Sequence, residues 1–238
     1  MFQLFYTPAW FQGWDLVFDA ISLIIALMIA GYSWKVYRMS KENRFGYFSF
    51  SFILVSLGFI FKIISQGLVY FVPWRNAATA ILVPMAGKSV AGINYSDLLF
   101  RSGFFAYMLA LLGAWLLIFF ISQKRSGRLK KYYEVSQIAL FIYLVGLISF
   151  VSNFKYAVFY LTSAVILGMA VLNYYQNYLN TNRNTNAFMV MLSFIFILLS
   201  NIFFVFVFVF DSFYVFGELF LLVGFLILLY TYRKITRR

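Results

Sequence analysis

The chain has 238 residues, 64% of them apolar and 23% aromatic, and its 19 Lys and Arg against 7 Asp and Glu give a formal charge of +12. Soluble domains are roughly 45–50% apolar, and a soluble fold of this length could not hide so much apolar surface, so the expected solvent is lipid. There is no His and no Cys; this excludes disulfides, thiolate or imidazole metal sites, haem ligation through those residues and any catalytic cysteine or histidine, so neither a cofactor, a metal nor an enzymatic activity is expected.

The leader, Met1 to Trp14, has no basic n-region and no small-residue cleavage site, so it does not read as a cleaved signal peptide. It carries Phe2, Phe5, Tyr6, Trp10, Phe11 and Trp14. Such rings favour the headgroup level, which predicts a leader lying on the outer membrane interface.

A transmembrane helix needs about 20 mostly apolar residues. Seven segments qualify: 14–38, 46–72, 98–122, 134–152, 156–178, 187–210 and 212–232. The expected fold is therefore an all-α integral membrane protein, one seven-helix bundle forming a single domain. Segments four and five are separated only by Asn153, Phe154 and Lys155. One helix through both would run about 67 Å, twice a bilayer, so the chain has to reverse there. Segments six and seven meet at Asp211.

Loop charges set the orientation, because cytoplasmic loops hold the excess of Lys and Arg. The end of segment one and the loop after it carry Lys35, Arg38, Lys41 and Arg44, and Lys124, Arg125, Arg128, Lys130 and Lys131 follow segment three. Arg183 follows segment five, and Arg233, Lys234, Arg237 and Arg238 end the chain. The opposite side has Arg75, Lys88, Arg101 and Lys155. This places the N-terminus outside, the C-terminus in the cytoplasm and the protein in the cell membrane as a multi-pass chain. With the cations serving topology, no nucleic-acid partner is expected. The basic loop after segment three is expected to rest on anionic headgroups, at about 1 kcal/mol per cation. The longest loop, Pro73 to Asp97, has an apolar centre from Ala77 to Ile93, which suits a short interfacial helix or a lid. The Asn/Thr-rich loop from Asn180 to Asn186 suits a turn.

One cation remains, Lys62, near the middle of segment two. A lysine at the bilayer centre costs about 3 kcal/mol on insertion scales and normally pairs or faces a wet cavity. Counting from the cytoplasmic ends at 1.5 Å per residue, Asp19 and Glu218 lie about 19 and 18 Å outward, and Lys62 and Asn201 about 22 and 21 Å. All four share one height in the outer half. Gln66 stands one turn above Lys62 and Asp15 one turn above Asp19. Segments three, four and five offer nothing comparable at this height; their polar residues, such as Arg101, Glu134, Asn173 and Gln176, crowd the ends. Two readings follow. Lys62 ties helix two to helix one or seven, or the layer of Asp19, Lys62, Gln66, Asn201 and Glu218 lines a ligand pocket or ion path.

Seven spans with an outside N-terminus resemble the topology of microbial rhodopsins and G-protein-coupled receptors. Segment seven, Ser212 to Tyr232, nevertheless carries no lysine for a Schiff base. The receptor hallmarks are missing as well: segment three ends Ile121-Ser122-Gln123-Lys124, segment seven ends Leu229-Tyr230-Thr231-Tyr232, and no cysteine is present for an outer disulfide. All three prolines, Pro8, Pro73 and Pro84, lie outside the spans, which argues against the proline-broken helices of many transporters. The hydropathy is broadly similar to that of seven-helix sensory domains of signalling proteins. The expected function is a sensory or receptor-like membrane protein that binds a small or lipophilic ligand in the outer half of the bundle and signals through a membrane protein partner. A small proton- or ion-coupled transporter, with Asp19 or Glu218 as coupling carboxylate, is the alternative, and a structural or assembly subunit the third reading.

Overall fold

The structure, a computed structural model, describes residues 7–74, 76, 77, 80, 95–123 and 156–236, with side chains for all of these except 69 and 95–101. Among them the secondary structure is helical throughout. Six long helices follow one another: α1 (Trp14–Ser40), α2 (Asn43–Tyr70), α3 (Tyr95–Ser122), α4 (Tyr156–Asn180), α5 (Thr185–Val205) and α6 (Ser212–Thr236). Each includes a stretch long and apolar enough to cross a membrane. They correspond to segments one, two, three, five, six and seven. Segment four, 134–152, and the basic loop Lys124, Arg125, Arg128, Lys130 and Lys131 lie outside the described residues, as does nearly all of the apolar centre of the 73–97 loop.

The burial pattern is that of a protein dissolved in lipid. Ile21, Ile24, Leu27 and Met28 on α1 and Phe216, Leu219, Val223 and Leu226 on α6 face outward, while Asp15, Asp19, Lys62, Gln66 and Glu218 are buried. A water-soluble bundle would show the opposite arrangement. The described helices thus form a multi-pass membrane bundle.

Helix ends follow local chemistry. α1 stops at Lys41, whose left-handed φ of 58° lets its N–H bond the Tyr37 carbonyl, and two residues later α2 begins. α4 stops where Asn182 and Arg183 take positive φ, and Asn184 caps α5 by accepting from the Asn186 N–H at 2.9 Å. The sixth segment does not run helically to 210 as expected. α5 ends at Val205, and Phe206 donates to both Ile202 and Phe203, tightening the chain into a 3₁₀ turn over Phe206–Phe208. A tightened last turn satisfies carbonyls that a helix end leaves open, just before the reversal at Asp211.

The six helices form a closed ring in which each touches the next and α6 returns to α1. Small residues bring the walls together. A Cβ at Gly224 would lie 2.9 Å from the Ser193 carbonyl oxygen, so α5 and α6 meet backbone to backbone. Neighbours are antiparallel except for two pairs. α1 and α6 run the same way, as do α3 and α4: Tyr107 bonds Tyr160 near one end, and Asn173 bonds Ser122 near the other. The chain therefore leaves α3 at one end of the bundle and enters α4 at the opposite end. The starts of α1, α3, α4 and α6 share one face, called here the N-terminal end, and Thr236 lies at the other, the C-terminal end.

Candidate functional site

Lys62 stands on α2 eight residues before the helix ends at Tyr70, on the face that meets α1 and α6. Its Nζ donates to Asp19 Oδ1 at 2.8 Å and to Glu218 Oε1 at 2.6 Å. Exposure is 1% for the lysine and nil for both acids. Helices far apart in sequence thus converge on one ammonium. Charge-assisted bonds of this length are the strong ones, and in a dry interior the arrangement is stable only while both signs are present, since a lone buried charge is severely penalised. The Tyr214 ring, one turn before Glu218 on α6, lies 5.6 Å from Nζ, within cation–π range.

The pairing is unequal. Two carboxylates face one ammonium, and Asp19 Oδ2 and Glu218 Oε2 have no hydrogen-bond partner. Gln66, one turn beyond Lys62, donates from Nε2 to the Tyr214 hydroxyl at 3.2 Å and leaves its own Oε1 unpartnered. Asn201 on α5 is buried at 2% exposure. Its Nδ2 turns back to the Ile197 carbonyl of its own helix at 2.8 Å, and its Oδ1 is likewise unpartnered. Of the five residues singled out from the sequence, Asp19, Lys62 and Glu218 join directly and Gln66 joins through Tyr214. Asn201 is bonded within its own helix rather than to the triad.

Asp15 forms a separate lock above the triad. Its Oδ2 accepts from the Tyr70 hydroxyl at 2.6 Å and from Thr7 at 3.3 Å, and its Oδ1 from the N–H groups of Gly13 and Leu16 at 2.8 and 2.9 Å. The described part of the leader, from Thr7 on, is thereby drawn into the bundle instead of lying on the interface. Phe11 is buried against Phe18 and Tyr214, whereas Trp10 and Trp14 remain outside.

The sequence reading missed the tyrosines. Segments three and five were expected to offer nothing comparable to the charged layer at this height, and what they do bring is phenolic: Tyr107 of α3 and Tyr160 of α4 bond each other at 3.0 Å through buried hydroxyls. Where α2 packs on α3, Gly58 faces Leu111 and Gly103 faces Ser65, which sets Tyr107 level with Lys62. With 18 Tyr in the chain, these were indistinguishable from rings facing lipid. The available signal was positional and only for Tyr107, which lies nine residues into segment three, away from the interfaces where aromatic belts sit.

A cavity of about 320 Å³ opens elsewhere, at the C-terminal end, lined by Arg44, Phe48, Tyr174, Asn177, Asn186 and Tyr232 among others. Phe48 is fourteen residues from Lys62 on α2, about 21 Å along the helix. Searches of known protein families, curated proteins and solved structures give no match to the chain.

Proposed function

We propose that this chain is a seven-helix sensory or receptor-like protein of the cell membrane, with its N-terminus outside and its C-terminus in the cytoplasm, and that the Asp19–Lys62–Glu218 triad is the element whose state it reports. One observation carries the reading: three helices are joined through one buried lysine that bonds two carboxyl groups. A structural tie would need one acid. The second acid makes the junction responsive, because anything that supplies or removes charge there changes how α1 and α6 are held to α2. A small or lipophilic ligand in this half of the bundle would act on the same junction, and a membrane protein partner would carry the signal onward. The orientation rests on the cation bias of the loops.

The unpartnered carboxylate oxygens favour one other reading, a small proton- or ion-coupled transporter in which Asp19 or Glu218 carries the coupling ion. The two readings separate in one experiment with purified protein. A sensor is stabilised by a compound from a lipophilic panel and passes no proton or ion current in proteoliposomes. A transporter shows flux that Asp19→Asn or Glu218→Gln abolishes. Flux in the wild type would overturn the sensory reading.

A further inference from the structure

We propose that the triad binds one unit of positive charge, a proton or an alkali cation; this rests on the sensory reading and names its ligand. The charge balance comes first. With all three groups ionised the junction holds one uncompensated negative charge, in a place with no water-exposed surface on either acid. Burying such a charge is costly, and the environment favours whatever state neutralises it. One positive charge does so. A divalent ion would overshoot by as much as the empty site falls short.

The free atoms agree with this sign. Asp19 Oδ2, Glu218 Oε2, Gln66 Oε1 and Asn201 Oδ1 are all acceptors and all unpartnered, on residues at most 2% exposed. Their complement is a donor or a hard cation, and oxygen-only donors suit a proton or an alkali ion better than a transition metal. Asn201 belongs to this set by register. On α5 it lies in the stripe with Ile197 and Phe204, which pack on Gly224 and Gly217 of α6, on either side of Glu218 in sequence.

Neighbouring groups leave the charge uncancelled among the described residues. On α1, Asp15 is engaged by Thr7, Tyr70 of α2 and two backbone N–H groups. Tyr107 of α3, Tyr156 and Tyr160 of α4 and Tyr214 of α6 are phenols that are neutral at ordinary pH. The described part of α5 contributes no titratable side chain.

The test is the thermal unfolding midpoint of the purified chain in NaCl, KCl or choline chloride at equal ionic strength, from about pH 5 to about pH 9, with infrared spectra of the same samples. If the occupant is an alkali ion, the midpoint rises saturably in Na⁺ or K⁺ over choline. If it is a proton, the salts are equivalent, the midpoint falls as pH rises, and a protonated-carboxyl C=O band that shifts in D₂O disappears over the same range. Either dependence is lost in Glu218→Gln or Asp19→Asn, which remove the excess charge. A wild-type midpoint indifferent to salt and pH, with no such band, overturns the proposal without need of any variant. If that indifferent protein is still stabilised by a compound of the lipophilic panel, the sensory reading survives and only the charge ligand falls.

Discussion

Along the seam where α1, α2 and α6 meet, the N-terminal half holds Asp19, Lys62, Gln66 and Glu218, and the C-terminal half holds Ala26, Ala30, Ser49, Phe48, Phe52, Phe225 and Tyr232. The second set joins the same three helices without any charge. Ser49 donates to the Ala30 carbonyl at 2.8 Å and Ser33 to the Phe45 carbonyl at 2.9 Å. Phe48 stacks on Tyr232 at 5.1 Å, and Phe52 packs edge-on to Phe225 at 5.9 Å. Small residues, hydroxyls and rings are thus sufficient to pack this seam in lipid, where van der Waals fit and polar contacts replace the hydrophobic drive. The two halves thus join the same helices by different chemistry, and under the proposed reading the charged half serves a task besides cohesion.

The largest expected effect comes from breaking the charged half unevenly. Lys62→Met leaves two buried carboxylates facing each other and is expected to destabilise the bundle by about 3–5 kcal/mol, the usual result of removing one partner of a buried pair. Adding Asp19→Asn and Glu218→Gln to Lys62→Met is expected to recover most of that loss. Unfolding measurements in mixed micelles on the single, double and triple variants complete the cycle, and simple additivity would sink the view that the three act as one unit.

The C-terminal half is expected to answer differently. Phe225→Ala removes a fully buried ring that packs on Phe52 and Phe59 and should cost about 3 kcal/mol through the cavity it leaves. Its effect should be nearly the same with Lys62 present or replaced, because Phe225 stands seven residues, about 10 Å, beyond Glu218 on α6. A coupling between Phe225→Ala and Lys62→Met well beyond about 0.5 kcal/mol would show that the halves are not separate devices.

Tyr70→Phe tests the Asp15 lock. It deletes one charge-assisted bond of 2.6 Å while three other donors to Asp15 remain, so the expected loss is about 1.5 kcal/mol. Any dependence of the midpoint on salt or pH should survive this change, since Asp15 belongs to its own network. Loss of that dependence in Tyr70→Phe would merge the lock with the triad.

Much of this was legible in the sequence because lipid makes hydropathy a length measurement. All six described helices begin within three residues of the expected positions, and α1, α4 and α6 begin on them. The meeting of Asp19, Lys62 and Glu218 was legible as well, since ionisable residues inside spans are so few that equal height nearly pairs them. What resisted was anything that depends on side-chain direction. Asn201 shares the height but bonds its own Ile197 carbonyl. Phe11 turns inward while Trp10 beside it turns out. Tyr107 and Tyr160 were hidden among many similar rings. Height follows from counting residues, whereas direction depends on helix rotation, which partner helices set.

Ser49→Ala is the smallest and the most discriminating case. The hydroxyl is buried at 1% exposure and joins α2 to the Ala30 carbonyl of α1. In water-soluble proteins, removing such a bond costs about 1 kcal/mol. Within a bilayer the expectation is about 0.6 kcal/mol, because the separated helices also find partners for their polar groups. The Ala30 carbonyl keeps its place in the α1 helix, so no acceptor is stranded. If Ser49→Ala instead costs as much as Tyr70→Phe, the hydroxyl half of the seam holds the helices as firmly as the Asp15 lock does. The contrast between the halves would then be one of chemistry alone and not of strength.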